Sequence, residues 1–267
     1  MNNKSTICFL FAKAILSVMS IAPGIKASNL ANPAVLTPEA RISVGASYHL
    51  GGYTLTNLEL PALFNRVHAR CDYTPFSFLS FGLDAGATMI DVERYVQNGD
   101  TFPVFHGKFG FSGGGHLKLS TPAFLKDYLR ITAIGQGSYF SSKNNNGAVY
   151  KGFDAAGVIG IQFHIPKFGF ITAGPLVYII DGTNRNYTGE EHFYSNLNNI
   201  RGWLAIDFFP HLRELHTTKP YVSLEISVSP LAKFTKRIPV QEFSVSLSIG
   251  SITKRLYGEE NDVEWEP

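Results

Sequence analysis

From residue 41 onward the chain alternates apolar and polar positions with a period of two, the spacing of a strand with one face in an apolar medium. In residues 41–50, Ile42, Val44, Ala46, Tyr48 and Leu50 share one face, opposite Arg41, Ser43, Gly45, Ser47 and His49. Residues 66–73 set Val67, Ala69, Cys71 and Tyr73 against Arg66, His68, Arg70 and Asp72. Residues 79–89 set Leu79, Phe81, Leu83, Ala85, Ala87 and Met89 against Ser80, Gly82, Asp84, Gly86 and Thr88. In 105–119 the apolar set is Phe105, Phe109, Phe111, Leu117 and Leu119, and the polar set is His106, Lys108, Ser112, His116 and Lys118.

The middle of the chain is less regular. Residues 129–140 oppose Leu129, Ile131, Ala133 and Tyr139 to Arg130, Thr132, Gln136 and Ser138, with Ile134 on the wrong face. Residues 153–163 and 169–181 are nearly apolar on both faces, so the pattern assigns them no inward side. Residues 200–208 oppose Ile200, Leu204, Ile206 and Phe208 to Arg201, Trp203, Ala205 and Asp207. The last two runs are clear again. Val222, Leu224, Ile226 and Val228 face away from Ser223, Glu225 and Ser227, and Phe243, Val245, Leu247 and Ile249 from Glu242, Ser244, Ser246 and Ser248. About ten strands are therefore expected, joined at 93–101, 141–147, 182–196 and 230–238 by polar segments and at 74–78, 120–128, 164–168 and 210–219 by Pro- and aromatic-bearing ones.

Composition narrows the reading. Across 267 residues, 16% charged and 13% aromatic content excludes a disordered chain, and a net charge of +2 gives no nucleic-acid footprint. The first 27 residues have the parts of a secretory signal: Lys4, an apolar stretch over 7–19 broken only by Lys13, then Pro23-Gly24 and a small residue, Ala27, before Ser28. Lys13 leaves too short an uninterrupted run for a membrane-spanning helix. Removal of Lys4, Lys13 and Lys26 reduces 23 basic residues to 20 against 21 acids, and leaves Cys71 without a disulfide partner.

A soluble β-sandwich that binds a ligand, such as a carbohydrate, through exposed aromatics would also alternate. Its wet face, however, would carry Lys, Glu, Asp and Arg, whereas the last two runs carry mainly serine. Glycine also recurs inside runs, at 45, 82, 86, 113–115, 135, 137, 157 and 160, where it suits a curved sheet around a narrow lumen. A sheet satisfies its backbone within a bilayer only by closing on itself, with apolar residues outward and polar ones inward. Aromatics near run ends (Tyr73, Phe76 and Phe78; Tyr139 and Phe140; Phe163, Phe168 and Phe170; Phe208 and Phe209) read as interfacial girdles.

On the signal, the alternating runs and the Ser/Gly/charged faces opposite Val/Leu/Phe faces, the chain resembles the small bacterial outer-membrane β-barrel proteins over residues 40–257. That resemblance implies an all-β, closed, antiparallel up-and-down transmembrane barrel in the outer membrane. It also implies a role in surface structure or interaction. The expected organisation is a signal peptide (1–27), an N-terminal periplasmic segment (28–39), the barrel (40–257) and an acidic tail (258–267). Tyr257 stands where such proteins end on an aromatic assembly signal, yet a tail follows that carries Glu259, Glu260, Asp262, Glu264 and Glu266.

The inward charges are the candidate site: Arg66, His68, Arg70, Lys108, His116, Lys118, Arg130 and Arg201 against Asp72, Asp84, Asp154, Asp207, Glu225 and Glu242. In so narrow a barrel they are expected to pair and plug the lumen, with a small porin-like, anion-attracting pore as the alternative. For an enzyme at the outer rim, His49, Asp91, His106, Asp181 and His192 are candidates, and Asp91 can meet His106 across one hairpin. There is no G-x-S-x-G elbow, and Ser112-Gly113-Gly114-Gly115 lies mid-strand without the helix that a phosphate loop requires. His211 and His216 lack ligand spacing, so no metal or other cofactor is expected. The expected partners are outer-membrane lipid and an extracellular ligand held by the loops.

Overall fold

The computed structural model describes residues 34–36, 41–55, 60–93, 95–97, 100–102, 104–125, 128–166, 168–209, 218–229 and 243–253. The expected signal peptide and acidic tail, Glu242, His211 and His216 lie outside them. The described elements are all strands: β1 (Arg41–Leu55), β2 (Leu60–Phe76), β3 (Leu79–Val92), β4 (Tyr95–Gln97), β5 (Asp100–Phe102), β6 (Phe105–Ser120), β7 (Leu129–Asn144), β8 (Val149–Ile165), β9 (Gly169–Arg185), β10 (Glu191–Phe208), β11 (Thr218–Val228) and β12 (Phe243–Thr253).

Ten of them close a barrel in the order β1-β12-β11-β10-β9-β8-β7-β6-β3-β2, every neighbour antiparallel. The seam is β1 against β12, with Ser47 opposite Ser248 and His49 opposite Ser246. β4 and β5 form a separate hairpin within the β3–β6 connection, where the sequence predicted only an irregular segment. An even strand number brings Arg41 and Thr253 to one end, here the near end. The β7–β8 and β9–β10 turns lie at the far end.

Those far-end turns are tightly made. Asn144 Oδ1 accepts from the N–H of Asn146 and Ala148, and Gly147 has φ 87°. Asn186 Oδ1 accepts from the N–H of Thr188 and Glu190, and Gly189 has φ 93°. The loop expected at 182–196 is therefore corrected. β9 and β10 run through most of it as a hairpin, paired from Gly182–Tyr194 to Arg185–Glu191.

Burial separates the two faces. On β3, Phe81 and Leu83 are exposed while Gly82 and Asp84 are buried; on β8, Phe153, Ile159 and Ile161 are exposed while Asp154 and Val158 are buried. Leu83 is 71% exposed, Ile159 67%, Phe153 66% and Ile200 62%. An apolar belt of that extent on every wall has no counterpart on a water-soluble sandwich. Strands of up to 18 residues exceed the 9–11 or so needed to cross a bilayer at a tilt.

Two local departures reassign residues. Bulges interrupt β6 against β3 (Thr88/Asp91) and against β7 (Phe109/Ser112), and an extra residue reverses which face follows. Phe105 is consequently inside and Lys108 outside and exposed, which removes Lys108 from the lumen cluster. Among the expected girdle residues, Phe140 and Phe170 are buried, and Ile134 also points inward.

Candidate functional site: the barrel lumen

The inward charges of β2, β3 and β6 converge because their registers place them side by side. Asp72 lies opposite Gly82, Gly82 opposite His116, and Arg70 opposite Asp84. Lys118 Nζ meets Asp72 Oδ1 at 2.7 Å, and Arg70 pairs with Asp84 through Nε. His116 bridges the two acids, Nε2 to Asp72 at 2.6 Å and Nδ1 to Asp84 at 3.0 Å. Both ring nitrogens can donate at once only in an imidazolium. Gly82 makes the bridge possible, since a Cβ there would overlap the His116 ring.

A second cluster lies farther along. Arg66 pairs with Asp154, which also accepts from Tyr178 Oη at 3.1 Å and from Ser138. The guanidinium of Arg66 sits 5.3 Å from the Phe64 ring and 5.4 Å from that of Phe140; Arg201 sits 5.0 Å from Tyr53 and 5.5 Å from Tyr178. Tyr53 and Tyr178 stack at 4.7 Å, and Phe64 meets both Tyr53 and Phe140 edge-on. With Ile90, Phe105, Tyr150, Ile180 and Tyr194 these rings form a buried apolar layer across the far half of the lumen. Two arginines thus join the ionic layer to the aromatic one, each facing a ring.

The opposite wall, besides His49, Tyr53, Tyr221 and Glu225, carries many small residues. Ser43 and Ser47 of β1, Ser223 and Ser227 of β11, and Ser244, Ser246 and Ser248 of β12 are all buried. Large side chains from β2, β3, β6 and β9 fill the space that these serines leave, the large-against-small packing of a filled small barrel. Arg66, Arg70, Lys118 and Arg201 share the buried interior with Asp72, Asp84, Asp154, Asp207 and Glu225.

At the near end Asp207 has a different partner from the cation expected. Its carboxylate accepts the backbone N–H of Ala34 at 3.3 Å and of Val35 at 3.0 Å, together with the Ser223 hydroxyl. Ala34, Val35 and Leu36 are buried. These three residues form a strap lodged in the near mouth.

The remaining candidates separate. His68 is buried, with Nε2 3.0 Å from Ser112 Oγ; Glu225 is buried on β11; Arg130 is half-buried near the near end. His49, expected at the rim, is fully buried in the lumen opposite Arg66 and Ser246. Asp91 and His106 do meet, Oδ1 to Nδ1 at 3.3 Å, but on the outer face, with the imidazole 80% exposed. Asp181 and His192 are exposed and paired in register with Ser195 and Asn184. Sequence reasoning missed the strap and the aromatic layer. For the strap the sequence offers only the apolar triplet Ala34-Val35-Leu36 after Pro33.

A closed sheet with an apolar outer belt and an ionic interior defines a transmembrane β-barrel. No family model matches the chain, and no curated protein matches it in sequence. Among solved structures it is similar to the outer membrane protease OmpT from Escherichia coli, at 8% identity and TM-score 0.43 over 82% of this chain and 97% of that one. It is also similar to a TodX deletion mutant, a monoaromatic hydrocarbon channel (10%, TM-score 0.32, 84% and 92% covered), and to CymD, another such channel (10%, 0.29, 83% and 91%).

Proposed function

We propose that the protein is a bacterial outer-membrane barrel with a structural or surface-interaction role, exported by its first 27 residues and closed to solutes by its own side chains. The observation that supports this most directly is the filled lumen. Arg66, Arg70 and Lys118 are each paired with a carboxylate, the aromatic layer lies above them and the strap below. Cavities of about 410 and 600 Å³ lie along the outer wall, over Leu117, Gly135 and Ile159 and over Lys108 and Lys143. In this reading the near end faces the periplasm and the far-end turns face outward.

Planar-bilayer recording tests the reading. Folded protein, identified by its faster gel migration before boiling, is expected to give no steady conductance. Steady anion-selective channels from the wild-type chain would overturn the plug and establish the pore.

A further inference from the structure

Lys108 of β6 and Lys143 of β7 are directly opposite in register, and both are exposed on the outer face at the far end. Like charges directly opposite each other destabilise a strand pair. Among the described residues neither lysine makes an ion pair, whereas Lys151 on the next strand has Glu191 at 3.8 Å. Between the two lysines runs a groove of about 600 Å³ that Ser141, Asn144 and Asn145 also line. It therefore offers the side-chain amides of Asn144 and Asn145 beside two ammonium groups, the Ser141 hydroxyl already donating to the Phe111 carbonyl.

Below the groove the outer wall turns aromatic and then apolar. Phe111, Tyr139 and Phe153 form a continuous row, at 6.5 Å and 5.2 Å between successive rings. Leu117 and Ile159 follow. A ligand held by the lysines would thus have its charge at the rim and its remainder against a wall that suits hydrocarbon.

We infer that Lys108 and Lys143 bind the phosphate of an anionic lipid headgroup in the outer leaflet, its acyl chains lying along the aromatic row. The inference rests on the proposed orientation, which puts the far end outward. A bridging phosphate removes the repulsion between the two lysines and gains both charges. A free phosphate would make the same polar contacts but would leave the aromatic wall unused.

The test titrates detergent-solubilised, folded protein with dioleoyl phosphatidic acid and counts retained lipid by native mass spectrometry. One lysine near an anionic lipid surface is worth about fivefold in binding, so K108A/K143A should weaken retention about 25-fold. R41A/K219A, which removes the same charge at the near end, should leave it unchanged, and dioleoylglycerol should not be retained. Equal loss in both double variants would overturn the inference, as would equal retention of dioleoylglycerol. Inorganic phosphate competing at the same concentration as the lipid would assign the site to a free anion and overturn the lipid reading. K108Q/K143Q replaces the alanine pair should that pair lose the compact gel form. If the wild-type chain itself lacks that form, the barrel reading fails; if it has the form and lipid retention is flat, only this inference fails.

Discussion

Single residues in the lumen carry unequal loads, and Asp84 carries one of the largest. It holds Arg70 and one side of His116 at once, out of contact with solvent. Asp84→Asn leaves a buried guanidinium without its counter-charge, which is expected to cost about 3–5 kcal/mol. Asp91→Asn removes an acid from an exposed pair with His106 and should cost less than about 1 kcal/mol. The two variants are compared by the temperature at which the compact gel form is lost. These residues were partly legible in the sequence: Arg66, Arg70, Asp72, Asp84, His116 and Lys118 fall on one face by simple alternation. Their pairing was not legible, because it depends on which positions meet across strands. Asp207 shows the limit, its partner being a backbone segment about 170 residues away.

At the scale of the strand, alternation is readable only where one face is polar. β1, β2, β3, β11 and β12 satisfy that condition, and the sequence assigns their faces. β8 and β9 do not, because their inward positions include Val158, Leu176, Tyr178 and Ile180, as apolar as the lipid-facing ones. Phe140 looks like a girdle residue for the same reason. The bulges in β6 leave no signature in composition, yet they decide that Lys108 lies outside. Glycines divide in a way that the pattern did not show. A Cβ at the inward Gly114 would lie 2.6 Å from Ser138 Cα, whereas one at Gly135 would meet nothing within 4 Å. Gly114→Ala is expected to destabilise the barrel by about 1–3 kcal/mol through overpacking. Gly135→Ala should be neutral or slightly stabilising, as a less flexible unfolded chain would make it. Urea midpoints of the two variants decide the matter, and equal losses would contradict the facing described here.

For the whole molecule, the barrel and its lipid belt make a prediction about one thiol. Cys71 is exposed on β2, between Val44 of β1 and Leu83 of β3. Its exposure is to hydrocarbon if the belt lies in a bilayer. In proteoliposomes, with Cys8 replaced by serine, a membrane-impermeant maleimide should leave Cys71 unmodified until the protein is denatured. Rapid labelling of the native form would place that face in water.

The serine wall bears on how such a molecule is put together. β1 comes first among the barrel strands and β12 last, so the seam between them is where a growing sheet must finally join its own beginning. The buried cations stand on β2, β6 and β10, whereas β12, the last strand, brings to the interior mainly the hydroxymethyl groups of Ser244, Ser246 and Ser248. The interior can therefore be packed while the sheet is still open. The last step then brings the small side chains of β12 against an interior already packed. The strap is accommodated in the same sequence of events, since a sheet still open along one side can enclose Ala34–Leu36 laterally. The distribution of residue sizes around the circumference thus fits an order of assembly, with closure left to β12, the strand whose buried side chains are mostly serine.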